Sequence, residues 1–336
     1  MPVTIKDVAK KANVSSATVS LVVNKNTRIS EETRARVLKA IKDLNYYPSR
    51  SAIGLVSKQS GNIGFILTED HFSRSEPFYT KIFIGTEFQA RNDHYYVLLT
   101  TTPNTFNKCD PLPRFVLERN VDGVILAGRV PKKLIECIEE YELPIVFVDY
   151  YPVNGNHSVV MSDNISGGLR ATQHLIECGH RSIAFIYSDM QHPSISERFQ
   201  GYRMALEKFG LIPFSVTDGQ STDRISGYKA AKKLLSQKNN VTAIFACNDA
   251  MAIGVLQYLR EKHIQVPKQI SIVGFDDVDA DLSIDPPLTT MRVNKEEMGI
   301  QTLRLMVEML QNETTKPRKV LVPVELIIRG STCRIK

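Results

Sequence analysis

The sequence predicts an α/β chain, two doubly wound parallel-sheet halves preceded by a small all-α unit. Three observations predict it. From Asn62 onward, short β-rich runs alternate with amphipathic helical stretches, the pattern of parallel sheets covered by helices on both faces. Before that point, three short stretches carry apolar residues at helical spacing. The basic excess is confined to the same opening stretch. Residues 1–58 hold 11 Lys+Arg and 4 Asp+Glu, net +7, whereas the other 278 hold 31 and 32, net −1.

At 336 residues the chain is too long for one ordinary core, so two or three domains are expected. Hydrophobic residues at 43% and charged residues at 23% exclude disordered and fibrous classes. No apolar run approaches the length of a membrane span. The opening MPVTIKDVAKK is charged where a secretion signal is apolar, so no membrane partner and a cytoplasmic location are expected. Cys109, Cys137, Cys178, Cys247 and Cys333 are scattered without CxxC spacing, which predicts small buried hydrophobes in a reducing compartment. The seven histidines include no HExxH, and no Walker loop or GxGxxG is present, so neither metal nor cofactor is expected.

The all-α unit comes first. Thr4 precedes Ile5, Val8, Ala9 and Ala12 on one helical face, and Asp7 completes the start of a capping box. Asn13 interrupts, and Ser15 caps a second helix with Val19, Val22 and Val23 inward. Ser30 caps a third, Glu31 to Leu44, with Val37, Ile41 and Leu44 inward and Glu31 and Glu32 in its first turn, where the helix dipole favours acids. Two short helices joined by a tight turn, followed by a third, form a helix-turn-helix unit. In that geometry the N-terminal part of the second helix enters a DNA major groove, with Ser16, Ala17 and Leu21 outward and Thr18 and Ser20 in reach of phosphates. The basic excess suits a polyanion, because Lys and Arg displace counterions from phosphates. A three-helix bundle serving only protein contacts is the blander alternative.

The stretch TIKDVAKKANVSSATVSLVVNKNTRISEETRARVLKAIKDLNYYPS resembles the DNA-binding domain of the LacI/GalR repressor family. The pattern I-x-D-V-A, V-S-x-x-T-V-S, S-E-E-T-R-x-R-V and a terminal Y-x-P is all present, long and ungapped. The resemblance implies that Ser16, Ala17 and Leu21 face bases, while Thr4, Thr18, Ser20, Asn24 and Arg34 lie near the phosphate backbone. Small residues at 16 and 17 offer no bidentate hydrogen bonds, so the operator sequence stays open.

Residues 49–60 read as a linker by composition. In the family the matching segment folds on DNA into a short helix whose leucine wedges into the minor groove, and Leu55 occupies that position. An inserted apolar wedge kinks DNA by unstacking a base step. Here the segment reads S-R-S-A-I-G-L rather than A-x-x-A-R-S-L, and Gly54 inside a helix costs about 1 kcal/mol relative to Ala. A hinge weakly formed off DNA is therefore expected.

In the α/β part, the β-rich runs are Ile63–Leu67, Tyr95–Thr100, Val124–Ala127, Ile145–Asp149, Ile183–Tyr187, Ala243–Cys247 and Ser271–Asp276. Asp163–Cys178 and Asp249–Lys262 are amphipathic helical stretches between them. Ligands bind such sheets at the carboxyl ends of the strands. Polar residues stand there: Asp149 after IVFV, Asn248 and Asp249 after AIFAC, and Asp276 and Asp277 after SIVGF. Carboxylates and amides accept hydrogen bonds from sugar hydroxyls, and Arg198 in SERFQGY adds a forked donor. Asp249 is expected to cap its helix rather than touch a ligand. No nucleophile–base arrangement accompanies the acids, so catalysis is not expected.

The family resemblance continues through VDGVIL, IVFVD, GHRSIAFI, RFQGYRMAL, ACNDAMAIGVL, ISIVGFDD, PPLTT and LIIRGST, essentially the whole chain. It implies a periplasmic-binding-protein-like core of two subdomains around an effector. Arg198, Asn248 and Asp276 are then effector contacts, Phe78 and Tyr79 pocket-lining positions, and Asp149 lies at the cleft. Expected boundaries are 1–48 for the DNA-binding domain, 49–60 for the hinge and 61–336 for the core. Within the core the N-subdomain takes 61–161 and 292–322, and the C-subdomain 162–291 and 323–336, with the helix Asn294–Leu310 in the first. The chain ends without room for a tetramerising heptad helix, so a homodimer on a pseudo-palindromic operator is implied.

Acid, amide and Arg groups suit a sugar effector, with a purine or a phosphorylated sugar behind it. Some family members respond instead to a phosphorylated carrier protein, and that partner stays open. Effector and DNA must change each other's affinity by the same factor. Whether the effector induces or corepresses is open. A transport sugar-binding protein would need a signal peptide and no DNA reader, and a sugar-processing enzyme would need a catalytic constellation.

Overall fold

A computed structural model describes residues 3–23, 28–46, 59–73, 78–152, 155–219, 221–237, 240–311 and 316–335. The chain divides into a small helical unit and a much larger α/β unit.

The helical unit holds α1 (Ile5–Ala12), α2 (Ser16–Val23) and α3 (Glu31–Asp43). Asp7 Oδ2 accepts from Thr4 N at 2.8 Å and from Thr4 Oγ1 at 2.7 Å, fixing the start of α1. Asn13 takes a left-handed φ of 52°, which asparagine tolerates, and this turn separates α1 from α2. Ser15 Oγ accepts from Thr18 N at 3.1 Å, and Ser30 Oγ from Thr33 N at 3.4 Å, so both serines cap. Val8, Val19 and Val37 meet with no exposed surface, and half-buried Ile41 and Leu44 pack against them. Each fully buried valine contributes about 1.5–3 kcal/mol, which is how so small a unit holds together.

The α/β unit has two six-stranded sheets. The first takes β1 (Asn62–Thr68), β2 (Tyr96–Thr102), β3 (Gly123–Ala127), β4 (Ile145–Val148), β5 (Ser158–Ser162) and β11 (Lys319–Val322), in the order β11-β5-β4-β3-β1-β2. The second takes β6 (Ile183–Tyr187), β7 (Phe214–Thr217), β8 (Ala243–Ala246), β9 (Ser271–Asp276), β10 (Thr289–Val293) and β12 (Val324–Ile327), in the order β12-β10-β9-β8-β6-β7. In the first sheet β1–β3, β3–β4, β4–β5 and β5–β11 pair in parallel. In the second only β10–β12 is antiparallel. Strands buried on both faces read as continuous apolar runs, as GVILA and IVFV do in β3 and β4.

The helices are α4 (Glu69–Ser73), α5 (Phe78–Asn92), α6 (Arg114–Leu117), α7 (Lys132–Glu139), α8 (Asn164–Glu177), α9 (Pro193–Lys208), α10 (Arg224–Ser236), α11 (Asp249–Glu261) and α12 (Lys295–Gln311). The chain leaves the first sheet after Ser162, returns after Val293 and leaves again at Pro323. Arg292 and Val293, assigned from the sequence to the first half, therefore sit in a strand of the second sheet, and Ser162, assigned to the second half, ends a strand of the first. Although α12 follows β10, it packs on α5 and against β3, β4 and β5 of the first sheet.

Glycines let helix pairs touch backbone to backbone. A Cβ on Gly168 of α8 would lie 2.2 Å from Arg198 O of α9, and one on Gly201 would lie 2.1 Å from Ile165 O. No side chain fits either place, so this contact sets the position of Arg198.

Among the described residues no helix is long and apolar enough to cross a membrane, and no cluster of metal-ligating side chains is present. All five cysteines are free. Cys109 departs from the expectation of burial: it lies on the exposed segment before α6.

Candidate functional site

A pocket partly open to solvent lies between the two α/β halves. Phe78, Tyr79, Asp149, Arg198, Asn248 and Asp276 all line it, joined by His71, His192, Ser194, Ile195, Thr222 and Cys247.

Asp149 follows β4 in a left-handed conformation (φ 62°) and is 6% exposed. Its Oδ2 accepts from Tyr79 Oη at 2.9 Å, and its Oδ1 from Ser194 Oγ at 2.9 Å. Tyr79 belongs to the first half and Ser194 opens α9 of the second, so one carboxylate joins both halves. The rings of Phe78 and Tyr79 meet edge to face at 5.1 Å, and His71 lies 4.6 Å from Tyr79, giving one aromatic wall.

Arg198 is 4% exposed and held on every side. Nε donates to Asn164 Oδ1 at 2.9 Å, Nη1 donates to Cys247 O at 2.6 Å, and Nη2 lies 3.2 Å from Asp276 Oδ1. The guanidinium stacks 3.7 Å from the Phe275 ring centre, a cation–π contact. Asn164 is itself locked by Ser162, its Oδ1 accepting from Ser162 Oγ and its Nδ2 donating to Ser162 O, both at 3.0 Å.

Asp276 ends β9 at φ 119°, a conformation side chains rarely adopt, and such strain concentrates at functional sites. Burial pushes its carboxyl up to about 7; Arg198 and Lys295 oppose the rise, while Asp249 and Asp149 add to it. Lys295 Nζ donates to Asp276 O and, at 3.2 Å, to Asp277 O, anchoring this strand end to the start of α12. Burial lowers the Lys295 ammonium below its ordinary value. His192 is likewise held below the usual histidine value by burial first, and so is neutral near pH 7.

Asn248, not Asp249, caps α11: its Oδ1 accepts from Met251 N at 2.9 Å, and its Nδ2 donates to Thr222 O at 2.9 Å. Asp249 lies fully buried behind the pocket, accepting from Thr290 Oγ1 at 2.6 Å and from Val278 N at 3.2 Å. Val278 N also reaches Asp281 Oδ2 at 3.1 Å, so two buried acids converge on one N–H. Burial and their mutual repulsion push Asp281 well above the carboxylate range. The expectation for Asp249 is thus corrected: its side chain serves the core, and the cap falls one residue earlier.

In the helical unit, Thr4, Ala17 and Leu21 are exposed, while Ser16, Thr18, Ser20 and Arg34 are half-buried. Thr18 Oγ1 lies 2.9 Å from Ser15 Oγ, and Arg34 Nε lies 3.4 Å from Glu31 Oε1. Asn24 and the hinge residues Gly54 and Leu55 lie outside the described residues.

Comparison with known proteins supports both units. Residues 4–49 match the model of bacterial regulatory proteins of the lacI family, and residues 172–332 match a periplasmic binding protein-like domain. The chain is 33% identical over 332 residues to the HTH-type transcriptional repressor PurR of Histophilus somni, covering 98% of each. It is 32% identical over 336 residues to PurR of Mannheimia succiniciproducens, covering 99% of each. Among solved structures, a transcriptional regulator CelR–cellobiose complex matches at TM-score 0.73 and 31% identity, over 98% of this chain and 99% of that one. The lac repressor dimer bound to operator and the anti-inducer ONPF matches at TM-score 0.76 and 25% identity, over 99% and 100%.

A helix-turn-helix unit ahead of two parallel-sheet subdomains around a polar pocket defines a ligand-binding transcription regulator, not an enzyme. The chain belongs to the LacI family and is a DNA-binding transcriptional repressor.

Proposed function

We propose that the protein binds a pseudo-palindromic operator as a homodimer and is controlled by a sugar or sugar derivative in the core pocket. The observation that carries the effector assignment is the joint lining of one pocket by Asp149, Arg198, Asn248 and Asp276 with the aromatic Phe78 and Tyr79. Polar acceptors around an aromatic wall suit a ring bearing many hydroxyls. The cellobiose-bound CelR and a LacI family regulator from Enterococcus faecium with bound ribose, 26% identical at TM-score 0.69 over 82% of this chain and 100% of that one, support a sugar. The relatives named PurR keep a purine as the second reading.

Operator reading falls to Ser16, Ala17 and Leu21 at base edges, with Thr4, Thr18, Ser20, Asn24 and Arg34 at phosphates and Leu55 as the minor-groove wedge. The two α/β subdomains change their relation when the effector binds, and residues 49–60 pass that change to the DNA reader (1–48). A DNA reader acts in the cytoplasm. Selection of bound sequences from a random DNA pool tests this. Enrichment of a two-fold symmetric site is expected; enrichment of nothing would overturn it.

A further inference from the structure

We propose that Asp249 and Asp281 share one proton, which fastens the short turn Asp279–Leu282 to the second sheet and releases it when lost at alkaline pH. Asp249 opens α11, Asp281 lies in the turn that follows β9, and neither has exposed surface. Val278 N–H donates to Asp249 Oδ2 at 3.2 Å and to Asp281 Oδ2 at 3.1 Å, so two buried carboxyls meet at one donor. Two ionised carboxylates are acceptors only and cannot bond to each other, whereas one proton between them supplies a donor. Asp281 Oδ1, also buried, receives no hydrogen bond among the described residues. That is costly for a carboxylate and far less so for a carboxylic acid.

The surrounding charges leave no cation for a second negative charge on the pair. Arg198 faces Asp276 at 3.2 Å, and Arg292 Nε donates to Asp277 Oδ2 at 2.6 Å. Arg329 Nη2 donates to Asp277, and Nη1 donates to Leu288 O at 2.8 Å while standing 3.9 Å from Asp281 Oδ2. Lys295 Nζ is turned onto the carbonyls of Asp276, Asp277 and Val293. Asp249 has Thr290 Oγ1 as a neutral donor at 2.6 Å. Burial raises both carboxyls above their ordinary range, and the charge of Asp249 adds to the rise at Asp281. Protons leave such a pair in two steps, and the second step sets two charges side by side in the core.

What the pair holds is the turn itself. Asp281 N donates to Val278 O at 3.0 Å, and Leu288 N donates to Asp281 O at 3.1 Å, so the turn is closed through Asp281. Its first residue, Asp279, pairs with Lys81 of α5 at 3.0 Å and so ties this segment to the first half. Once the proton is gone, two like charges compete for Val278 N–H. Asp249 is fixed in α11 and by Thr290, so the turn is the part that gives way, and the Lys81–Asp279 tie loosens with it.

Infrared spectroscopy on the full-length protein tests the shared proton, because the carbonyl stretch of a protonated carboxyl stands apart from the bands of carboxylates. A protonated-carboxyl band is expected to persist in the wild type at about pH 8, to remain in Asp276→Asn and to be lost in Asp281→Asn. The chain has no tryptophan, so Ile284→Trp, half-buried just past the turn, reports on that segment alone. Its emission should move to longer wavelength with the same pH midpoint as loss of the band, and should stay fixed when Asp281→Asn is added. Leu282→Trp, on the exposed side of the turn, gives the same readout if the first reporter fails to fold. No protonated carboxyl at pH 8 in the wild type, or a band that Asp281→Asn leaves intact, would overturn the shared proton. Emission that does not follow the band would overturn its hold on the turn.

Discussion

Ser194 Oγ donates to Asp149 Oδ1 at 2.9 Å, tying the first turn of α9 in one α/β half to the end of β4 in the other. Ser194 is 2% exposed and Asp149 6%, so neither has water as a ready substitute partner. Tyr79 completes the clasp from α5.

Removing the shared carboxylate should therefore cost more than one hydrogen bond. Asp149→Ala removes the carboxylate that accepts from Tyr79 Oη and Ser194 Oγ, although Ser194 keeps the backbone carbonyl at 3.1 Å, and places alanine at φ 62°, for an expected loss of about 2–4 kcal/mol in urea unfolding. Asp149→Asn keeps an acceptor and tolerates the left-handed backbone, so it should cost clearly less. Equal losses for the two would show that the clasp carries no stability.

The contact of α8 with α9 predicts a different failure. Gly168→Ala drives a methyl group into the carbonyl of Arg198, and overpacking of this kind costs about 1–3 kcal/mol. Because the displaced backbone carries the pocket's guanidinium, ligand affinity should fall together with the melting temperature. Gly210→Ala is the control for glycine replacement: at φ 65° with open space around it, strain there should lower stability without touching ligand affinity.

The buried acids give the core a pH signature. A carboxyl whose folded value is raised binds its proton longer in the folded than in the unfolded chain, so stability is lost as pH rises. Asp281 is raised well beyond Asp276, which reaches about 7, so its share of the loss continues through pH 7 to 9. His174, His180 and His192, lowered by burial, act with the opposite sign and only below about pH 6.5. Urea midpoints at pH 7 and pH 9 should fall for the wild type and fall less for Asp281→Asn. Parallel falls would remove the acid pair as the cause.

On DNA, phosphate and base contacts separate by their signatures. Arg34→Ala should weaken binding to all sequences alike and reduce the salt slope by about one, as measured by anisotropy across salt. Ala17→Arg, at an exposed position of α2, should instead change the preferred sequence. A changed preference in Arg34→Ala would contradict its placement at phosphate.

Much of the fold was legible in the sequence because buried parallel strands are written as local apolar runs. Ile183–Tyr187 and Ser271–Asp276 agree to the residue. β5, β7, β10, β11 and β12 went unread. FSVT is short and half polar, KVLV is only four residues long, Pro323 breaks the segment between β11 and β12, and their pairing joins residues far apart in the chain. Asp149 was read as a strand residue, but its positive φ takes it out of β4 and turns its carboxyl toward Tyr79 and Ser194.

For the pocket, strand-end acids and amides are a local signal, whereas His71, His192, Ser194 and Thr222 come to it through tertiary packing. A histidine or serine beside a helix start carries no mark of its own. The one available clue was Pro193, which fixes the first turn of α9 and so the placement of the residues around it.

The most direct measurement is operator affinity of the full-length protein, titrated with and without a saturating pocket ligand found by calorimetry, for the wild type and for Asp276→Asn. Wild-type affinity for operator should change severalfold with ligand, about 5-fold or more, and ligand affinity should change by the same factor on operator. The response should shrink in Asp276→Asn. Operator affinity that is indifferent to a ligand seated in this pocket would contradict ligand-controlled repression.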